Sequence, residues 1–160
     1  MNRTPATDRG RMGAVDIARA AVGLIWLAGA AVNAVVTLRM ADPYGWLADG
    51  SRVRGYRWFF REVAGAHPTG WTLVLIAGEA ALGVLTLSRG GWAKLGLAAG
   101  AMFSAVLASF STPFTVVMGP YALLLAWLAR HDGRPDRPSP IGRLAGALFR
   151  HGADHGAAPA

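Results

Sequence analysis

The sequence predicts an all-α integral membrane four-helix bundle, with short interfacial helices in an outer loop and in the C-terminal tail. Three observations carry this. The charges fall in blocks and leave three charge-poor tracts, Ala20–Leu38, Trp71–Leu87 and Leu95–Ala129. Mean hydropathy is +0.34 although both ends are polar, so a water-soluble fold would have to bury these tracts with almost no polar face. The third tract is 35 residues without a charge, about 52 Å as one helix, which exceeds a hydrocarbon core of ~30 Å and must fold back.

Residues 1–13 are polar and basic, contain Pro5 and Gly10, and read as a mobile cytoplasmic arm. Ala28-Gly29-Ala30 resembles a leader-cleavage site, but the apolar run continues through Leu38, which favours a retained first span over residues 17–38. In that span Asp16, Arg19, Gly23, Trp26, Ala30, Asn33 and Thr37 recur at steps of three and four, placing its polar residues on one helical face. This stripe is expected to face the bundle interior, leaving Val, Leu, Ile and Ala toward lipid.

The outer loop covers residues 39–69. Asp42-Pro43-Tyr44-Gly45 is a turn signal. Between Arg52 and Val63 an apolar face of Val53, Tyr56, Phe59, Phe60 and Val63 opposes Arg54, Arg57 and Arg61. That composition suits a helix in the headgroup region, an anchor, or alternatively a lid or a docking surface for an anionic partner.

The second span, residues 70–88, carries the carboxylate Glu79 at its centre, on a stripe with Thr72, Ile76, Gly83 and Thr86. An ionisable group at that depth is expensive unless it is protonated, paired or in a wet cavity, so it is a functional-site hypothesis by default. In the third tract the break falls at Ser109-Phe110-Ser111-Thr112-Pro113, giving spans at 94–111 and 113–130, with Gly119-Pro120 a kink. Gly96, Gly100, Ser104 and Ala108 repeat at four-residue steps, and Thr115, Gly119, Ala122, Ala126 and Ala129 are expected to be the inward face of the last span. Trp71, Trp92 and Trp127 lie near span ends, as an aromatic belt requires. The tail, residues 131–160, is expected to be largely disordered apart from a short surface helix after Ser139-Pro140. His151, Asp154 and His155 there read as chain-end residues and not as metal ligands.

Depth selects the partners of Glu79. Gly29 and Glu79 sit at the centres of their spans and are level, whereas Arg19 is about 15 Å away along the first helix. Arg19 is expected to snorkel inward or to pair with Asp16. The Trp26 indole, Asn33, Ser104 or a water remain as partners of Glu79, none of them a cation. Desolvation then disfavours the ionised form, and the expected group is a neutral carboxylic acid that can both donate and accept a hydrogen bond. Its role is either structural, joining two helices, or functional, in proton handling or ligand binding.

Fifteen arginines and one lysine give a net charge of +7. In a membrane protein the positive-inside rule accounts for this without nucleic acid. With both termini cytoplasmic, ten basic residues lie inside and five (Arg39, Arg52, Arg54, Arg57 and Arg61) lie outside. The absence of cysteine excludes thiol and disulfide chemistry within the chain.

Arg19-Ala-Ala-Val-Gly23 followed by Gly29, together with Gly78-Glu79-Ala-Ala-Leu82-Gly83-Val-Leu85, resembles the DoxX family of small bacterial membrane proteins over roughly residues 16–130. The resemblance implies a four-span fold in the bacterial plasma membrane and points, position by position, to Arg19 and Glu79. Members of that family include small subunits of thiosulfate:quinone oxidoreductases and membrane partners in oxidative-stress complexes. This chain departs from the pattern at Asn33, where many members have lysine, and in its long arginine- and aromatic-rich outer loop. The resemblance implies a non-autonomous subunit of a redox or quinone-linked complex, an accessory component more than an independent enzyme. Quinone is then the cofactor to consider, and the lipid bilayer, a redox-enzyme subunit and a second copy of the chain are the partners. A small-solute transporter or channel component and a non-catalytic scaffold stand as alternatives. The candidate intramembrane polar site is Glu79, Trp26, Asn33, Arg19 and Ser104, with no metal.

Overall fold

A computed structural model describes residues 13–131. The arm before residue 13, the surface helix expected after Ser139 and the His151, Asp154 and His155 group lie outside the described residues. Within them the chain is helical, without strands, and four helices are long and apolar enough to cross a membrane. These are α1 (Ala14–Val35), α4 (Pro68–Leu87), α5 (Gly91–Ala108) and α6 (Thr112–His131). Two short helices, α2 (Gly45–Gly50) and α3 (Arg54–Trp58), lie between α1 and α4. This is the make-up of a multi-pass membrane protein.

Each boundary has a local cause. α1 starts after Gly13, whose N–H donates to Asp16 Oδ2 at 3.3 Å, placing a carboxylate in the first turn where helix N–H groups lack partners. A single 3₁₀ turn, Thr37–Arg39, extends it. α4 begins at Pro68, where the missing N–H costs nothing. Gly90, at φ 58°, makes the reversal between α4 and α5, a backbone conformation that favours glycine. Ser109-Phe110-Ser111 separates α5 from α6, and Thr115 Oγ1 closes that turn by donating to the carbonyls of Ala108 (2.5 Å) and Ser111 (2.9 Å). α6 runs through Gly119-Pro120 as one helix with Pro120 inside it, so the chain turns back at Ser109–Ser111 and not at this pair, as expected.

α1 packs along α4, α4 along α5, and α5 along α6. Two glycine contacts fix how closely. At the α1–α4 crossing, a Cβ on Gly83 would stand 2.7 Å from Leu27 Cγ and 3.0 Å from the Gly23 carbonyl oxygen, and one on Gly23 would stand 2.5 Å from Leu87 Cγ. At the α4–α5 turn, a Cβ on Gly96 would meet the Thr86 backbone nitrogen at 2.6 Å. Small residues here let backbones touch, the packing mode helices use where no hydrophobic effect drives them together.

The central cluster joins Val22 and Trp26 of α1, Leu97 of α5, and Leu125 and Leu128 of α6. The inward face of α6 therefore differs from expectation. Its buried residues are Ala122, Leu125 and Leu128, while Thr115 is exposed and Gly119 faces open space. The reason is complementarity. α5 supplies the small residues of that seam, and Leu125 fills the space in front of Gly100. The opposite faces of the four helices expose large apolar side chains, among them Leu24, Ile25, Val74, Val84, Met102, Val116 and Leu123.

The amphipathic helix expected between Arg52 and Val63 is present, as α3 running on into a π-type stretch, Phe59–Ala64, with Arg54, Arg57 and Arg61 exposed. α2 and α3, with the wider π-type turn Phe59–Ala64, fold onto the ends of α4, α5 and α6. A second apolar cluster of Tyr44, Ala48, Phe60, Ala64 and Phe110 results. Tyr44 Oη and Thr72 Oγ1 share a buried 3.0 Å hydrogen bond, and Tyr56 Oη and Ser109 Oγ share one of 2.8 Å. Phe60 is buried and Tyr56, Phe59 and Val63 are half-buried, while Val53 is exposed. Residues 39–67 thus form a cap over one end of α4, α5 and α6.

Candidate functional site

Glu79 lies midway along α4 and is half-buried against α1. Asn33 Nδ2 donates to Glu79 Oε2 at 2.7 Å, and Thr37 Oγ1 donates to Asn33 Oδ1 at 2.8 Å. The three side chains form a relay that climbs α1 by one turn and crosses to α4. Asn33 orients Glu79, and Thr37 in turn orients Asn33 by occupying its carbonyl oxygen. Among the described residues, Glu79 Oε1 accepts no hydrogen bond.

Gly29 makes room for this carboxylate. A Cβ built there would stand 3.4 Å from both carboxylate oxygens, ordinary contact that a larger side chain would turn into a clash. The same measurement shows that Gly29 and Glu79 are level.

The other residues singled out from the sequence do not join this relay. Trp26 is 6% exposed and packs its indole against Phe103 (centroids 5.7 Å, edge-on) and Tyr121 (5.9 Å). Its Nε1 lies beside Gly100, where a Cβ would approach it to 3.3 Å. Ser104 is fully buried one turn further along α5. Trp26 Nε1, Ser104 Oγ, Tyr121 Oη and Thr86 Oγ1 are all buried without a hydrogen-bond partner among the described residues. An unsatisfied buried donor or acceptor costs about 1–3 kcal/mol, so this core carries polar groups whose hydrogen-bonding capacity is unused among the described residues.

Arg19 is 1% exposed and Asp16 is 2% exposed, both on α1. The Arg19 side chain is thus buried and not extended along a surface as snorkelling requires. Ten residues of helix separate it from Gly29, a rise of about 15 Å, which keeps it apart from Glu79.

Sequence reasoning placed Gly29 level with Glu79 but did not single out Tyr121 or the Tyr44–Thr72 pair. Tyr121 carried a usable signal, as a phenol inside a 35-residue tract without charge. The Tyr44–Thr72 contact carried none, since it joins an outer-loop turn to a span 28 residues later. No known protein family, curated protein or solved structure matches the chain.

Proposed function

We propose that the chain is a DoxX-like integral membrane four-helix bundle of the bacterial plasma membrane, with both termini cytoplasmic. In this reading it is a non-autonomous subunit of a membrane redox complex and holds the headgroup of a quinone at the α1–α4 seam. The observation that carries the reading is the half-buried Glu79, oriented by Asn33 and with its second oxygen uncommitted, midway along an apolar helix.

The residues fit such a group. A quinone headgroup offers carbonyl oxygens that need donors, and Asn33 has a second amide N–H beyond the one given to Glu79. A protonated Glu79 would be a further donor. A bound quinone supplies reversible electron and proton transfer. The chain's own contribution is to hold the headgroup at a fixed depth and to keep one carboxyl proton beside it. Trp26 and Ser104 fit less well as its first contacts, because both face the filled core while Glu79 and Asn33 retain exposure. With no cysteine in the sequence, electrons delivered to such a site come from a partner subunit or a further cofactor and not from a thiol of this chain.

The test is extraction of the full-length protein in mild detergent, followed by chromatographic quantification of quinone per protein against bulk lipid. Enrichment in the wild type that falls in Glu79→Leu and is partly kept in Glu79→Gln supports the proposal. Quinone at the bulk-lipid ratio in the wild type would end it.

A further inference from the structure

The cap holds a feature that the α1–α4 seam does not use. A pocket of about 200 Å³ opens between α2 and the α5–α6 turn, lined by Trp46, Leu47, Gly50, Phe110, Pro113 and Phe114. Its walls are apolar apart from Ser111, and Trp46 stacks on Phe114 with centroids 6.2 Å apart. The Arg52 amide donates to the Phe110 carbonyl at 3.0 Å, which ties the start of the arginine segment to the pocket wall. Tyr56 pins the same segment by packing edge-on against Phe110, centroids 4.4 Å apart. Arg52, Arg54 and Arg57 are exposed. Arg61 is held by Asp49 at 2.7 Å.

We infer that this cap binds an anionic glycerophospholipid, with part of an acyl chain in the Trp46–Phe114 pocket and the phosphate on Arg52 and Arg54. Three considerations select this occupant. The pocket lies at the ends of α5 and α6, the level at which acyl chains meet headgroups if the four helices span a bilayer. Guanidinium groups pair with phosphate oxygens through paired N–H donors, and basic side chains at a membrane surface attract anionic lipid. The cap also carries five arginines against three carboxylates, Asp42, Asp49 and Glu62, on the side where the positive-inside rule expects few basic residues. A lipid phosphate accounts for that excess. The inference rests on the membrane reading of the helices, its third consideration also on both termini being cytoplasmic, and it is independent of quinone binding.

Delipidated full-length protein in mild detergent, titrated with phosphatidylglycerol or with phosphatidylcholine and read by native mass spectrometry, tests it. The wild type is expected to bind phosphatidylglycerol about tenfold more tightly, a preference that weakens with salt. Arg52→Gln with Arg54→Gln should abolish the preference, and Arg52→Lys with Arg54→Lys should keep most of it. Gly50→Leu, at a position where a Cβ meets nothing within 4 Å, should fill the pocket and weaken both lipids in parallel. Equal affinity for the two lipids, or a preference that survives the glutamine pair, overturns the inference. So does a dimer that the glutamine pair dissociates without any change in lipid binding, because the surface would then join two copies. Thermal unfolding of each variant separates lost binding from lost fold.

Discussion

Asn33 donates its amide to Glu79 at 2.7 Å across the α1–α4 seam, joining the polar stripe of one long helix to the lone carboxylate of another. Interhelical hydrogen bonds in apolar surroundings contribute about 0.6 kcal/mol on average and up to about 1.7. Because a glutamine oxygen also accepts from Asn33, Glu79→Gln should unfold in detergent within about 0.5 kcal/mol of wild type. Asn33→Leu and Glu79→Leu should each cost about 1 kcal/mol, and the double variant less than their sum. Additive losses in that cycle would show that the two side chains are not coupled.

The glycines of α4 should divide sharply. Gly83→Leu pushes atoms into Leu27 and the Gly23 carbonyl and should cost about 2 kcal/mol or more, or separate α1 from α4. Gly78→Leu, one residue from Glu79, meets nothing within 4 Å and should be tolerated. Comparable destabilisation of the two would contradict the crossing point.

Much of this arrangement was legible in the sequence, and the losses have a common cause. Counting residues from span centres places Gly29 level with Glu79, and the three-four period selects Asn33. The same period groups Trp26 with Asn33, and the four-residue step of α5 offers Ser104, but neither side chain bonds Glu79. A helical stripe is a wedge wide enough to face two neighbours. The α1 stripe meets α5 and α6 at Trp26 but α4 at Asn33, and the direction of a crossing helix cannot be read from one helix's own repeat. On α6 the small residues suggest an inward face, yet small residues are needed on only one side of a seam, and α5 provides them through Gly96 and Gly100. The cap depends on contacts such as Tyr44–Thr72 and Tyr56–Ser109, whose partners are separated by 28 and 53 residues, so no local pattern announces them.

The unsatisfied polar atoms of the core lead to an asymmetric expectation. Trp26→Phe removes an Nε1 that has no partner among the described residues but keeps a ring against Phe103 and Tyr121. It should change stability by no more than about 1 kcal/mol, as should Ser104→Ala. Trp26→Ala opens a cavity in the central cluster and should cost about 3–5 kcal/mol. A large loss in Trp26→Phe, read by thermal or denaturant unfolding, would mean that the indole N–H is engaged by an internal water or a co-purified molecule.

Tyr44 should control whether the cap stays down. Its ring stacks on Phe60 (centroids 6.2 Å, planes 8° apart), and its hydroxyl bonds Thr72 of α4. Tyr44→Phe keeps the stack, leaves the Thr72 hydroxyl without that partner, and should cost about 1 kcal/mol. Because the loss falls on the cap's attachment to α4, hydrogen exchange should accelerate over residues 44–64 and stay unchanged in the middle of α5. Uniform acceleration along the chain would mean that the cap and the four helices open as one unit.

Orientation can be read directly, because the chain has no cysteine and any introduced thiol is unique. Ala66 is exposed at the end of the cap, and Gly91 is exposed at the first residue of α5, where a Cβ meets nothing within 4 Å. One long helix, α4, separates them, so in a spanning arrangement the two positions lie on opposite sides of the membrane. With both termini cytoplasmic, a membrane-impermeant maleimide should label Ala66→Cys in intact cells and Gly91→Cys only after permeabilisation. The reverse pattern would place the arginine-rich cap in the cytoplasm, where the positive-inside rule alone accounts for its charge and the lipid-phosphate explanation loses one of its three supports. Equal labelling of both positions in intact cells would show that α4 does not cross the membrane.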